Sequence, residues 1–221
     1  MMIAYASRTG TCRNLAALRA ACWRLMISAR GVLRTEGFRY ALDNGAWTSF
    51  QRGEAFHAAA FERALARVGA GADWIVLPDI VIGGLASLRF SQAWLHKLRQ
   101  RHNLRNKMFL IAVQNGMAPQ HLRRLLGPRV GVFVGGDTAW KLTTMAIWAR
   151  LAHAHGTICH VGRVNSARRI RLCAAAGVDS FDGSGVSRFA VALPPLDAAR
   201  RQADLEPLIH GRGKAVGKGN A

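Results

Sequence analysis

Residues 130–183 read VGVFVGGDTAWKLTTMAIWARLAHAHGTICHVGRVNSARRIRLCAAAGVDSFDG, and their punctuation decides the fold. Three short apolar runs, Val130–Gly135, Thr157–Gly162 and Val178–Asp182, are separated by stretches with helical character. Thr138–His155 is long and rich in alanine. Ser166–Ala176 opens on a capping serine and closes on Gly177. Apolar strands without polar alternation, joined by helices, belong to a parallel sheet buried on both faces.

The same alternation extends back to the N-terminus. Strands are expected at Ile3–Ser7, Arg24–Ser28, Tyr40–Asn44, Trp74–Asp79 and Phe109–Gln114. Helices are expected at Arg13–Ala21, Ala58–Val68, Leu85–Arg101 and, with proline in its first turn, Pro119–Leu126. Eight strands of this kind predict an α/β fold, a compact (β/α)8 barrel of the TIM type occupying residues 1–196. An open doubly wound sheet is the alternative, weakened because no G-x-G-x-x-G follows the first strand. Residues 197–221 turn polar, basic and glycine-rich, and read as a tail, disordered from about Gly211.

Among the 221 residues, 31 are Lys or Arg and 12 are Asp or Glu, a net charge of +19. Only five are lysine (Lys97, Lys107, Lys141, Lys214 and Lys218), leaving 26 arginines. Arginine forks bind phosphates bidentately, so the balance points to a polyanionic partner, although a GC-rich coding bias enriches arginine and alanine together. Cys12, Cys22, Cys159 and Cys173 form no C-x-x-C pair, so reduced thiols and no zinc subdomain are expected. No apolar run approaches a membrane span and no secretory leader is visible, so a cytoplasmic protein is expected.

In barrels of this class, chemistry gathers at the C-terminal ends of the strands. Read in order, those ends bring three carboxylates, Asp43, Asp79 and Asp182, to one mouth, with Gln114 and Gly135-Gly136. Each has an ordinary alternative. Asp43-Asn44-Gly45 suits a hairpin turn, Asp79 a helix cap, and Asp182-Gly183 a plain turn. Lysines are absent from the strand ends, which argues against Schiff-base chemistry. His160 stands as the one strand-end histidine, as a core or supporting group rather than a metal site. Asp179, earlier in the last strand, is expected to be structural. Arg163, Arg168, Arg169 and Arg171, around the start of the helix after strand seven, are the candidate phosphate grip; a solvated helix face is the alternative. Trp47 and Trp140 follow strand ends and could stack on a base or pack in the core.

Four segments, in this order, carry a resemblance. Ala41–Trp47, ALDNGAW, resembles the D-S-G-G-F segment of the tRNA-guanine transglycosylases. Ala112–Met117, AVQNGM, resembles their V-Q-G-G, and Val134–Lys141, VGGDTAWK, their G-G-L-A-V-G-E. Residues 160–183 resemble their H-x-x-G-x-G-x-P run and the G-V-D-x-F-D after it. The segments span about two thirds of the chain. The resemblance implies a (β/α)8 barrel that exchanges guanine in a nucleic acid for a 7-deazaguanine, with no cofactor. It implies Asp182 as the nucleophile on the sugar and Asp43 as the general base. Asp79 would read the amidine edge of the base, and Gln114 with Gly135 and Gly136 would bind its carbonyl oxygen. Two departures matter. No cysteine follows Asp182, where the tRNA enzymes carry a zinc subdomain, and Lys141 stands in place of the motif's glutamate. Both favour the branch that modifies DNA with 7-cyano-7-deazaguanine, with tRNA or mere nucleic-acid binding as alternatives. The partners implied are DNA and the free base, with a second copy of the chain by analogy.

Overall fold

The computed structural model describes residues 1–202. Eight parallel strands close into a barrel in sequence order: β1 (Ile3–Ser7), β2 (Arg24–Ser28), β3 (Tyr40–Asp43), β4 (Ile75–Val76), β5 (Phe109–Val113), β6 (Val130–Val134), β7 (Cys159–Val161) and β8 (Ser180–Gly183). β8 returns to β1 with Tyr5 level with Asp182. The TIM-type barrel expected from the strand alternation is therefore observed. β4 is shorter than the run Trp74–Asp79 suggested. Pro78 has no N–H to give the ladder, and Leu77 makes the last bond, to the Leu110 carbonyl at 2.9 Å.

The two faces of the barrel wall sort by parity. Outward residues such as Leu25, Ile27, Leu42, Ile75, Phe109, Ile111, Val132, Val134 and Phe181 form one continuous core with the surrounding helices. Inward residues Tyr5, Met26, Ala41, Trp74, Val76, Leu110 and Ala112 fill the barrel itself. At its floor the Tyr5 hydroxyl donates to Asp73 (3.1 Å), which also binds Arg24 and Arg39, both at 2.9 Å.

The helical layer is α1 (Cys12–Ala20), α2 (Ala46–Gln51), α3 (Ala58–Ala64), α4 (Gly84–Arg99), α5 (Thr138–Ala154), α6 (Ala167–Ala175), α7 (Gly185–Arg188) and α8 (Leu193–Gln202). The short helices α2 and α7 were not expected, and the layer departs from expectation in three further places. The run after α3 continues as a π-helical turn, Leu65–Gly69. Pro119–Leu126 makes only a 3₁₀ turn, Pro119–His121, because Gly127 and Pro128 stop propagation before a helix can form. The expected domain limit at residue 196 falls inside α8. Pro194 and Pro195 sit in its first turn, where a missing N–H costs nothing. Beyond the limit, Ala199 and Arg200 are buried; Arg200 binds Asp197 at 2.6 Å, the Ala21 carbonyl at 3.0 Å and the Met2 carbonyl. The remainder of the expected tail lies outside the described residues.

Candidate active site at the barrel mouth

Parity decides which strand-end groups face inward. Ser180 and Asp182 lie two apart on β8, and His160 occupies the matching inward position on β7, level with Ser180. His160 is fully buried. Its ring stacks on Phe133 (centroids 4.9 Å), tilts against Trp74 (4.6 Å) and meets the edge of Tyr5 (5.8 Å). Burial pulls its pKa down, against the pull of Asp182, so the imidazole is neutral. Nδ1 lies 2.8 Å from the Ser180 hydroxyl and Nε2 lies 3.0 Å from Asp182 Oδ1. A carboxylate only accepts, so the proton sits on Nε2 and the Ser180 hydroxyl donates to Nδ1. Asp182 Oδ1 is thereby fixed, and Oδ2 has one longer contact, 3.3 Å from the Arg163 N–H. Gly162 keeps this corner open, since a Cβ there would stand 2.7 Å from the Phe133 ring and 3.4 Å from Asp182 Oδ1.

Asp43 ends β3, level with Ser28 on β2. Its Oδ2 accepts from the Gly45 N–H at 3.0 Å. Burial pushes its carboxyl up to about 6; the Ser28 hydroxyl and the Gly45 N–H resist the shift, and the Asp182 charge adds to it. Asp79 follows β4, and its Oδ1 accepts from Asn44 Nδ2 at 2.7 Å. Burial raises it also to about 6, against the Asn44 hydrogen bond and with the charge of Asp43 adding to it. The three carboxylates are thus electrostatically coupled at one mouth. A cleft of about 110 Å³ reaches Asp79 between Ala46, Phe50 and Phe56 on one side and Ile80 and Val81 on the other. A smaller void of about 10 Å³ lies away from Asp43 and Asp79, between α5 and α6 beside Lys141 and Arg169.

No known protein family and no curated protein matches this chain.

The other expected site residues divide. Gln114 is buried, and its Nε2 donates to the Ile80 carbonyl at 2.9 Å, leaving one amide N–H for a ligand. Gly135 spends its N–H on the Val113 carbonyl (2.8 Å), so it continues the ladder; the Gly136 N–H has no partner among the described residues. Arg163 lies across the mouth: its guanidinium stacks on Trp47 (4.2 Å) and donates to the Gly136 carbonyl (2.6 Å). Arg168 is exposed in the first turn of α6, and Arg169 is half-buried beside Lys141. Arg171 is not brought to the mouth. It turns to Gln202 (3.5 Å) at the end of α8, the helix whose Arg200 reaches the floor. Trp47 belongs to the mouth, whereas Trp140 packs against the core beside Trp148. Asp179 holds the Cys159 N–H at 2.8 Å and His153 at 2.9 Å, a structural part.

Two residues that the strand-end reading passed over complete the site. Asn44 is buried, and its amide also donates to the Leu77 carbonyl, while its Oδ1 accepts from Ala46 and starts α2. Its signal was a polar residue between a strand-end aspartate and a glycine. Lys141 is buried, donates to the Gly162 carbonyl at 2.6 Å, and is drawn down to about 8, first by burial and then by Arg163. No group of three or more His, Cys, Asp or Glu among the described residues is placed to hold a metal, and no helix among them is long and apolar enough to cross a membrane.

Proposed function

We propose that this chain is a transglycosylase that exchanges guanine in DNA for a 7-deazaguanine, 7-cyano-7-deazaguanine being the expected free base. The observation that carries the reading is the pairing of a fixed carboxylate with a tunable one. Asp182 is held through one oxygen by a buried neutral histidine, and Asp43, which feels the Asp182 charge, is raised to about 6. Such a pair suits double displacement. Asp182 Oδ2 attacks C1′ of a flipped nucleotide as the C1′–N9 bond breaks, and protonated Asp43 supplies the proton to the departing guanine. The 7-deazaguanine enters, Asp43 takes its N9 proton, and N9 returns to C1′ as the ester bond to Asp182 breaks. Two inversions give retention, and the proton cycles through Asp43.

Asp79 and the Gly136 N–H suit the edges of a purine. The carboxylate faces N1–H and the exocyclic amine, and the N–H and the remaining Gln114 donor face the carbonyl oxygen. The charge of +19 suits a polyanionic substrate. The experiment is to incubate the protein with DNA or tRNA carrying labelled guanine, together with 7-cyano-7-deazaguanine. Released label and modified nucleoside are then quantified by mass spectrometry. Release from DNA, abolished in Asp182→Ala with binding retained, is expected. Release from tRNA alone overturns the DNA assignment, and binding to DNA without release from either overturns the enzyme.

A further inference from the structure

Ile82, in the loop that follows β4 at the mouth, is among the most exposed large apolar side chains of the described residues. It is 77% exposed and adopts φ +60. A β-branched residue in the left-handed region is a conformational outlier, and outliers of this kind persist where the surroundings enforce them. Here the surroundings do. Gly83 N–H donates to the Ile80 carbonyl (2.9 Å), closing a turn in which Ile82 takes the position that a type II turn gives to glycine or asparagine. Gln114 donates to the same carbonyl, the Ile80 N–H is held by Ser87 Oγ (3.0 Å), and Ser91 binds the Pro78 carbonyl (2.8 Å). A Cβ at Gly83 would sit 2.8 Å from both the Ile80 Cβ and its carbonyl oxygen, so the turn admits nothing larger there. The loop is a rigid mount, built on two residues of the candidate site, Asp79 and Gln114, and it presents an isoleucine to solvent.

The surroundings of that side chain select its partner. Phe50 lines the cleft that leads to Asp79, opposite Ile80 and Val81, and stacks on Trp47 at 5.7 Å; both rings are exposed. Arg163 lies on Trp47, Arg30 binds Glu54 at the rim, and Arg52 and Arg89 are exposed on α2's end and on α4. A second copy of a chain carrying +19 is repelled from such a face, whereas a polyanion is attracted. A membrane surface offers nothing to the carboxylates behind the rim. A base pair stack offers both a phosphate backbone and an apolar gap, and proteins that open duplexes insert isoleucine, leucine or phenylalanine between base steps.

We infer that the turn Ile80–Gly83 is a wedge: Ile82 enters the base stack of duplex DNA and fills the space vacated by the guanine that swings to Asp79 and Asp182. This rests on the transglycosylase reading of the mouth and adds to it the form of the substrate, a duplex rather than a single strand.

The test compares wild type, Ile82→Ala and Ile82→Leu on one sequence, as a duplex and as a single strand. It reads base exchange and, separately, the fluorescence of 2-aminopurine placed beside guanine. In wild type, duplex binding brightens 2-aminopurine as stacking is lost. In Ile82→Ala the brightening disappears and the duplex-to-single-strand ratio of exchange rates falls at least tenfold, while Ile82→Leu keeps both. A ratio and a brightening that Ile82→Ala leaves intact overturn the wedge and leave the transglycosylase standing. Brightening that depends on Ile82, with no exchange on any substrate, supports the wedge and overturns the catalytic reading. Binding to anionic vesicles that depends on Ile82, without brightening on duplex, overturns the wedge in favour of a membrane contact.

Discussion

Replacing Asp43 with asparagine should make the protein more stable at alkaline pH, and the gain should vanish in acid. Asp43 has an ordinary value of 3.8 and is raised to about 6 in the fold, chiefly by burial. At about 1.36 kcal/mol per pH unit, the ionised carboxylate costs the folded state about 3 kcal/mol. The folded state holds its proton up to about 6 and the unfolded state releases it near 3.8. Between those values the folded state binds more protons, so stability falls as pH rises through the window and stays low above it. At pH 8 the whole cost is present; at pH 4 only about 0.5 kcal/mol of it remains. Asp43→Asn cannot ionise. Its amide keeps one acceptor for Gly45 or Ser28 and loses the other, a constant penalty of about 1–2 kcal/mol at every pH. The difference in unfolding free energy between variant and wild type, measured by urea denaturation at pH 4, 6 and 8, should therefore grow by about 2–3 kcal/mol in favour of the variant from pH 4 to pH 8. Taking the difference cancels the titrating groups that do not feel Asp43; Asp79, which the Asp43 charge helps to raise, shifts back in the variant and adds to the gain in the same direction. A difference that stays flat across this range would refute the buried, elevated carboxyl, and with it the proton carrier assigned to Asp43. The same variant should exchange no guanine at any of these pH values.

Three further outcomes test other parts of the site. His160→Phe keeps the aromatic packing but removes the Nε2–H, and should lower kcat on the order of a hundredfold with KM little changed, whereas His160→Gln, which can still donate to Asp182, should recover part of the rate. Arg168→Ala should reduce the slope of log affinity against log salt for DNA by about one, as a lost phosphate contact does, and Arg171→Ala should leave the slope unchanged; titrations between low and moderate salt read both. Tyr5→Phe removes the hydroxyl from Asp73 at the floor and should cost about 1–2 kcal/mol by urea denaturation while exchange proceeds at the wild-type rate.

The barrel was legible because its strands are punctuated. Glycine, proline and capping serine mark where each apolar run stops, and the strand ends then follow by position, so Asp43, Asp79 and Asp182 were found together at one mouth. What stayed hidden depends on direction. A parallel strand buried on both faces carries no polar alternation, so CHV of β7 does not say which residue points inward. The partnership of His160 with Asp182 needed that parity, and so did the difference between Gly135, which continues the ladder, and Gly136, which leaves it. Short elements were hidden for another reason. Asn44-Gly45 has the signature of a hairpin turn, yet Gly45 at φ +80 caps α2, because Asn44 is pinned sideways by Asp79 and Leu77. Two consecutive prolines read as an ending in α8, where they form a beginning.

The plate of Tyr5, Trp74, Phe133 and His160 divides the inside of the barrel into two compartments. Below it, Asp73 and its arginines hold the strands together; above it, the mouth loops carry the chemistry. A division of this kind uncouples the histories of the two ends. Loops at the mouth can be lengthened, exchanged or retuned toward a different base without disturbing the ion pairs that keep the strands in register, and substitutions at the floor can drift without reaching a substrate. His160 ties the plate to the mouth, as a ring in the plate and as the hand on Asp182, just as Tyr5 ties it to the floor through Asp73. For anyone rebuilding this barrel toward a new nucleobase, His160 is the position to leave untouched.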